Sequence, residues 1–553
     1  HGAEPTFILA SATAADPAVT AARLTGVDVV AVDRDGSPRG AKEFVRWEPP
    51  LDARGGEHGT PVRRSALAET ADLLSDLVVT GARSVAFVRS RRAAETVAAL
   101  SRAKLADVEA TLAEQVAAYR AGYLPHERRE LEHHLQKGSI RALAATTALE
   151  LGVDVSGLDA VLIAGWPGTR ASLWQQAGRA GRRGLESVAV LIGRDDPLDH
   201  YLVHNPEAVF GPTAEATVLD PHNPYVLAPH LCAAAQETPL TDDDVTMFGP
   251  AATEVLADLE SRRMLRRRST GWFWVRRGWP QDLADLRGSG GPEVQLVETG
   301  TGRLLGTVDA GRAHAVAHAG AVYVHQGETY LVEQLDLDDN VAFARAAILD
   351  YTTTARDVTN LRILGVERSA PWGTAMLCFG DVEVSSQVVA FLKRRLGSGE
   401  VLGEEPLDLP ARQLRTKAVW WTLPDDVLPV RPADAPGAAH AAEHAAIGML
   451  PLFATCDRWD IGGLSTAQHP DTGQLTVFVH DGHPGGAGFA ERAFEAAPAW
   501  LRATRDAVAT CSCPEGCPSC VQSPKCGNGN DPLDKAGAVR LLTELLGGAP
   551  MER

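Results

Sequence analysis

The sequence predicts a multidomain α/β protein in which a parallel-sheet lobe is followed by smaller helical and β-rich domains. Its 553 residues exceed the roughly 250–300 at which a single hydrophobic core stops growing. Between Ser84 and Ile192, apolar runs alternate with helical patterns, which indicates βαβ units and a parallel sheet. Five of the eight cysteines lie between Cys511 and Cys526, which indicates a separate C-terminal module.

The elements of the lobe follow from its apolar patterns. Strands are predicted at residues 85–88, 142–145, 160–164 and 188–192, and helices at 92–100 and 128–136. The run 7–10 is also of buried-strand type, so we expect the chain to begin within a fold. The Pro- and Asn-bearing stretch 206–229 is predicted to close the lobe.

Three further units are predicted downstream. Residues 241–265 should form two helices, the second from 251 to 265, and a short hairpin around Gly271 follows them, which indicates a winged helix. Short strands with Gly turns between 294 and 423 predict a small β-barrel or curled sheet. These strands are expected at 294–297, 304–308, 322–325, 329–335 and 375–379. Residues 433–446 are predicted to be helical within an α+β C-terminal domain.

Composition narrows the function classes. No apolar run approaches the roughly 20 residues that span a bilayer, and no signal peptide is evident, so a cytoplasmic location without membrane attachment is expected. The formal charge of −18 argues mildly against a polyanionic partner. Clustering matters more than the total, and seven arginines lie within a short basic segment. They are Arg262, Arg263, Arg266, Arg267, Arg268, Arg276 and Arg277.

Residues 175–182 read QQAGRAGR, which resembles the Q-x-x-G-R-x-G-R signature of superfamily-two helicases. The resemblance implies that Arg182 is an arginine finger, with Arg179 and Gln175 beside it and Gly178 near the nucleotide. Such an arginine stabilises the charge of phosphoryl transfer and contributes roughly three to five powers of ten in rate. The alternative is a basic helix start that makes surface ion pairs.

Three other segments resemble motifs of the same family and occur in its order. Residues 145–154 resemble the fifth motif, which implies that Thr146 and Thr147 hold a nucleic-acid phosphate and that Gly152 and Asp154 face the nucleotide. Residues 11–13, Ser11-Ala12-Thr13, resemble the third motif, and Ser90 with Arg91 resembles the fourth. Taken alone, each of these short segments is more often ordinary α/β scaffold. Ser11, Thr13, Ser90 and Arg91 are therefore candidate nucleic-acid contacts.

The nucleotide-cradling elements are missing from the sequence. No G-x-x-x-x-G-K-[ST] loop occurs, and no Asp-Glu box precedes Ser11. We therefore expect this chain to be inactive as an ATPase by itself. A preceding RecA-like lobe of the same protein would bind ATP and Mg²⁺.

The cysteine module predicts a structural Zn²⁺ site, because four thiolates in a closed shell suit that ion. Five cysteines compete for four places: Cys511, Cys513, Cys517, Cys520 and Cys526. The set without Cys511 is favoured, since only one residue separates Cys511 from Cys513, and Cys511 remains the rival. A disulfide or an iron–sulfur cluster is the alternative to zinc.

The segment 517–528, together with 481–486, resembles the C-terminal cysteine module of the mycobacterial SftH type of helicase. This resemblance implies a 3′-to-5′ DNA helicase related to fungal RecQ-four-like enzymes and associated with DNA repair. The predicted domains are then 1–17 (tail of the first RecA-like lobe), 18–215 (second RecA-like lobe), 216–282 (winged helix), 283–425 (β-barrel-like) and 426–553 (zinc-bearing C-terminal domain).

Two further patterns have competing interpretations. Residues 440–444 fit H-x-x-E-H, an inverted zinc-protease motif, although ordinary helix residues are the default interpretation. Arg266, Arg267, Trp272 and Trp274 could bind duplex DNA or stack an unpaired base, or the aromatic rings could fill the core of the wing. A non-enzymatic DNA-binding or docking module and an RNA helicase are the alternative functions.

Overall fold

The computed structural model describes residues 5–11, 14, 16–34, 36, 40–53, 61–120, 125–150, 155, 157–181, 186–211, 220–284, 293–325, 328–395, 400–524 and 526–549. In this part of the chain, no helix combines the length and apolar character needed to cross a membrane.

The helices in the described residues are α1 Pro17–Thr25, α2 Ala66–Val79, α3 Arg91–Val108, α4 Ala110–Ala113, α5 Pro125–Lys137, α6 Arg170–Gly178, α7 Pro197–His204, α8 Pro206–Phe210, α9 Pro224–Glu237, α10 Asp242–Met247, α11 Ala252–Ser261, α12 Ala313–Val316, α13 Ala435–Met449, α14 Phe489–Glu495, α15 Ala497–Thr510 and α16 Lys535–Gly547. The strands are β1 Lys42–Trp47, β2 Ser84–Phe87, β3 Val116–Tyr119, β4 Ala142–Ala145, β5 Ala160–Ala164, β6 Ser187–Ile192, β7 Leu265–Arg268, β8 Gly271–Trp274, β9 Val294–Glu298, β10 Leu304–Val308, β11 Val322–His325, β12 Glu328–Asp336, β13 Val341–Ala346, β14 Tyr351–Trp372, β15 Ala375–Arg395, β16 Val401–Pro406, β17 Arg412–Leu423, β18 Ile461–Thr466 and β19 Leu475–Asp481.

The first unit is a six-stranded, wholly parallel sheet with strand order β1-β6-β5-β2-β4-β3. Its four central strands are nearly all buried, as expected for a sheet covered by helices on both faces. The four strands predicted from the sequence are confirmed, and β1 and β3 complete the sheet. Because the strands are parallel, the carboxyl ends of β2 and β4 lie side by side at one edge.

One prediction about the lobe is wrong. Residues 7–10 form no strand, and Ile8 is 91% exposed. A strand needs a neighbour for its backbone hydrogen bonds, and among the described residues none pairs with this segment. The segment 206–229, which was predicted to close the lobe, contains α8 and the start of α9 among its described residues. Pro206 and Pro224 each occupy the first position of a helix, where proline costs no hydrogen bond.

The winged helix predicted after the lobe is present. Helices α9 and α11 pack around a core that includes Leu231 and Leu256, and the hairpin β7–β8 follows. Gly271 permits the hairpin to close on the preceding segment: its φ is +127°, and a Cβ there would lie 2.1 Å from the Leu240 carbonyl oxygen. The turn between α9 and α10 is therefore bridged to the wing by backbone hydrogen bonds between Leu240 and Trp272.

The β-rich region predicted between 294 and 423 is present, and its strands belong to two sheets. Strands β9–β13 form a five-stranded sheet, and β14, β15 and β17 belong to a second sheet that also contains β18 and β19. Strand β17 pairs antiparallel with β19 over Ala418–Leu423. The predicted boundary at 425/426 therefore falls inside one sheet. Local alternation in the sequence predicts strands but does not indicate which strands pair.

The parallel-sheet lobe and the C-terminal domain share one hydrophobic core, to which both Val161 of β5 and Ala442 of α13 belong. Helix α13 is almost wholly buried. Just after α13, the Leu452 carbonyl accepts a 3.3 Å hydrogen bond from the Nη1 group of Arg170, which lies on α6 of the lobe. The lobe and the C-terminal domain are therefore packed together.

Candidate functional site

Hydroxyl side chains lie at the carboxyl edge of the parallel sheet. Ser90 caps α3 after β2, and its Oγ accepts a 3.1 Å hydrogen bond from the Ala93 amide. Thr146 follows β4; it is buried, and its Oγ accepts from the Ala148 amide. Thr147 is exposed. Because β2 and β4 are neighbours, Ser90 and Thr147 present hydroxyls at the same edge, and the amino end of α3 adds amide groups that favour an anion.

A buried carboxylate ties the segment after β4 to α6. Glu150 Oε1 accepts from Ser172 Oγ at 2.6 Å, and Oε2 accepts from Gln176 Nε2 at 2.9 Å. Arg179 donates to the Glu150 carbonyl and, at 3.4 Å, to the Val155 carbonyl. The segments that resemble the fifth motif and the Q-x-x-G-R signature are thus held as one unit. The importance of Glu150 could have been suspected from its place in the fifth motif.

The structure brings together some of the predicted motor residues. Arg179 is half-buried and engaged within the lobe, so its contacts here are those of a group that positions α6. Gln175 is half-buried, whereas Gly178 and Ser11 are exposed. Arg182, Gly152, Asp154, Thr13 and the side chain of Arg91 lie outside the described residues.

The wing carries a basic strand over an aromatic one. Arg266 and Arg267 are exposed on β7. Trp272 on β8 is only 8% exposed and belongs to the winged-helix core, so its assignment to base stacking is corrected. Arg267 lies over the Trp272 ring, 4.4 Å from its centroid. Trp274 is half-buried and donates to the Gly278 carbonyl at 3.2 Å.

Four buried cysteines form a compact cluster: Cys511, Cys513, Cys517 and Cys520. Their Sγ atoms are 3.7 Å (511–513), 3.6 Å (511–517), 3.5 Å (513–520) and 3.7 Å (517–520) apart. Four thiolates around Zn²⁺ at about 2.3 Å would be about 3.8 Å apart, whereas a disulfide needs about 2.05 Å. The cluster therefore fits Zn²⁺ and contains no disulfide.

The set is the one with Cys511, which corrects the preference for Cys526. Cys511 ends α15 in an extended conformation, and alternate residues of an extended chain point to the same side. One intervening residue therefore brings Cys511 and Cys513 together rather than separating them. Cys526 lies elsewhere, with its Sγ 3.4 Å from His440 Nε2.

Lys535, at the start of α16, donates hydrogen bonds to the cysteine cluster. Its Nζ donates to the carbonyls of Cys511 and Cys513, both at 2.6 Å, and to the Cys513 sulfur at 3.4 Å. Hydrogen bonds from Cys511 and the other thiols, with the charge of Lys535, lower the pKa of the Cys513 thiol. Four thiolates with Zn²⁺ carry two negative charges, which a buried ammonium offsets. No spacing pattern in the sequence indicated Lys535.

The cysteine module also contacts the parallel-sheet lobe directly. Ser519, between the last two cysteines, donates to the carboxylate of Asp195 in the lobe. Asp195 in turn accepts from the Arg63 amide at 2.8 Å. The cysteine cluster is therefore fixed against the lobe.

Comparisons with known proteins agree with this arrangement. Three family models match in order: helicase conserved C-terminal domain at 68–184, the winged helix domain of ATP-dependent helicase HRQ1 at 219–289, and the MrfA Zn-binding domain at 442–521. The chain is 33% identical to the uncharacterized ATP-dependent helicase YprA of Bacillus subtilis, over 94% of this chain and 69% of the relative. The chain belongs to the YprA family of ATP-dependent helicases.

Two further helicases are similar to almost the whole chain. HRQ1 of Saccharomyces cerevisiae is 29% identical over 98% of this chain and 52% of the relative. A crystal structure of the DUF1998 helicase MrfA bound to DNA matches 98% of this chain and 72% of that one, with a TM-score of 0.65 and 31% identity. The chain thus spans about half to seven tenths of the length of these relatives of the YprA family.

Proposed function

We propose that the chain is the rear part of an ATP-dependent 3′-to-5′ DNA helicase that acts in DNA repair. The observation that carries this proposal is the unit formed by Glu150, Ser172, Gln176 and Arg179. It joins the edge of the lobe that is proposed to bind phosphate to the segment that resembles the Q-x-x-G-R signature. Arg182, four residues beyond Gly178, is the proposed finger, and Arg179 positions its helix. Polarity and repair rest on the resemblance to the SftH type.

The residues that bind the phosphates of ATP are proposed to lie outside these 553 residues. No Walker loop occurs in the sequence, so a separate RecA-like lobe would hold ATP and Mg²⁺. Gln175, Gly178 and the undescribed Gly152 and Asp154 would line the second wall of that cleft. The chain alone is therefore proposed to have no ATPase activity.

DNA is the proposed substrate, and MrfA is a relative with a structure bound to DNA. Ser90 and Thr147 would contact phosphates of the tracking strand. Ser11, Thr13, Arg91 and Thr146 are proposed contacts because they belong to the segments that resemble helicase motifs. Arg266 and Arg267, which are exposed on the wing, would contact the duplex. Trp274, which is half-buried on the neighbouring strand β8, is the aromatic residue proposed to lie beside them.

The test uses the protein that contains this chain together with its nucleotide-binding lobe. We expect single-stranded DNA to stimulate ATP hydrolysis more than single-stranded RNA does, and unwinding of 3′-tailed but not 5′-tailed duplexes. Stronger stimulation by RNA would favour the RNA helicase. Nucleic-acid binding without any stimulated hydrolysis would favour the docking module.

A further inference from the structure

A second group of metal-binding side chains lies outside the four-cysteine cluster. The ligand atoms of His440, His444 and Cys526 all lie within 4.8 Å of one another. His440 and His444 are four residues apart on α13, which places them on one face of the helix, with ring centroids 4.3 Å apart. Cys526 and His440 are half-buried, and His444 is buried.

The hydrogen bonds of both rings leave the same nitrogen available for a ligand. His440 Nδ1 lies 2.9 Å from the Pro532 carbonyl oxygen, and His444 Nδ1 lies 2.8 Å from the Val521 carbonyl oxygen. A carbonyl only accepts, so each Nδ1 carries the proton and each Nε2 keeps its lone pair. Metal-ligating histidines are held in this way, with the other ring nitrogen donating to a backbone carbonyl.

The sulfur of Cys526 is placed to bind as a thiolate. It lies 3.4 Å from His440 Nε2 and accepts a 3.2 Å hydrogen bond from the Asn530 amide. In the first cluster, Cys520 Sγ likewise accepts from the Cys517 amide, at 3.3 Å. With Zn–S of about 2.3 Å and Zn–N of about 2.0 Å, a tetrahedral site separates sulfur and nitrogen by about 3.5 Å.

A third group in the described residues has different donors and an ion-pair partner. Glu48 Oε1 lies 2.9 Å from His200 Nδ1 and 3.0 Å from His204 Nε2. Arg63 Nη2 lies 2.9 Å from the same oxygen, so a guanidinium already supplies the positive charge. The hydrogen bonds described for His440, His444 and Cys526 include none from an arginine or a lysine side chain. The metal-binding atoms of this group would be one sulfur and two nitrogens.

We propose that His440, His444 and Cys526 form a second zinc site, which joins α13 to the loop between the cysteine cluster and α16. Zn²⁺ suits this mixed sulfur and nitrogen donor set. Three protein ligands leave one coordination position, which a water molecule would fill at this partly exposed site. Cys526 loses its thiol proton to solvent when the metal binds.

The zinc content of the purified chain tests this proposal. The wild type should contain two zinc ions per chain, and Cys526→Ala and His440→Ala should each contain one. Cys378→Ala, which removes a buried thiol from β15 outside both groups, should keep two. His440 is half-exposed on its helix, so the His440→Ala variant folds even if Cys526→Ala does not.

Reconstitution with Co²⁺ gives a second measurement. Titration of the metal-free wild type should show two equivalents bound, and the thiolate absorption of the second should be missing in Cys526→Ala. One zinc per wild-type chain would overturn the proposal. Two zinc ions retained in both Cys526→Ala and His440→Ala would do the same.

Discussion

The side chain that best shows how single residues shape the zinc site is Lys535. It is buried, yet its ammonium group donates to two carbonyls and one sulfur of the cluster. Lys535→Met keeps the apolar stem and removes the charge, so the thiolate cluster loses its counter-ion. Outer-shell partners of this kind contribute roughly 10–100-fold to metal affinity. We expect zinc affinity to fall by about that factor, measured by competition with a chromophoric chelator.

Lys137→Met is the matched control, since Lys137 is exposed at the end of α5. Zinc affinity there should match the wild type. Equal affinities in Lys535→Met and Lys137→Met would show that the ammonium group does not support the metal.

The sequence predicted the type of the metal site better than its membership. Density of cysteines indicated zinc, and the cluster and the matching zinc-binding family model support that ion. The choice between Cys511 and Cys526 depended on the extended backbone at Cys511, which spacing alone does not specify. The sequence likewise did not decide whether Trp272 stacks on a base or fills the core of the wing. Only the pairing of β7 with β8 decides which face of β8 points to the core.

At the scale of elements, the turn from β19 into α14 depends on one carboxylate. Asp481 is fully buried and accepts hydrogen bonds from the amides of Ala487 (2.6 Å), Phe489 (3.3 Å) and Ala490 (2.8 Å). Burial raises the pKa of this carboxyl, although the amides oppose the effect. Asp481→Ala would leave these amides without an acceptor, at a cost of about 3 kcal/mol.

Hydrogen exchange measures that cost locally. The amides of 487–490 should exchange about two powers of ten faster in Asp481→Ala, since about 1.4 kcal/mol corresponds to a factor of ten. Asp408 is exposed, and Asp408→Ala should leave those rates unchanged. Unaltered exchange at 487–490 in Asp481→Ala would mean that the turn is held by other contacts.

Elements were predictable where their pattern is local. The strands of the parallel lobe and the hairpin of the wing were predicted because buried runs and turn residues are read within a few positions. Pairing between distant segments was not predictable: β17 and β19 are joined across α13 and β18. The predicted boundary at 425/426 therefore lies between two strands of the same sheet.

At the scale of the whole molecule, the parallel-sheet lobe and the zinc-bearing domain pack against each other through a shared hydrophobic core. Arg89 of the lobe pairs with Asp457, and Asp195 accepts from Ser519 within the cysteine segment. A change of lobe position during hydrolysis would therefore carry the zinc module with it. The overall charge of −18 does not oppose DNA binding, because seven arginines are clustered in the wing, three of them on β7.

The central claim is that an arginine of this lobe completes an ATP site formed by a separate lobe. ATP hydrolysis with and without single-stranded DNA should be compared for wild type, Arg182→Ala and the exposed control Arg129→Ala, each in the protein that contains the nucleotide-binding lobe. We predict that Arg182→Ala binds DNA as the wild type does and hydrolyses ATP roughly three to five powers of ten more slowly, while Arg129→Ala is unchanged. DNA-stimulated hydrolysis at the wild-type rate in Arg182→Ala would contradict the account.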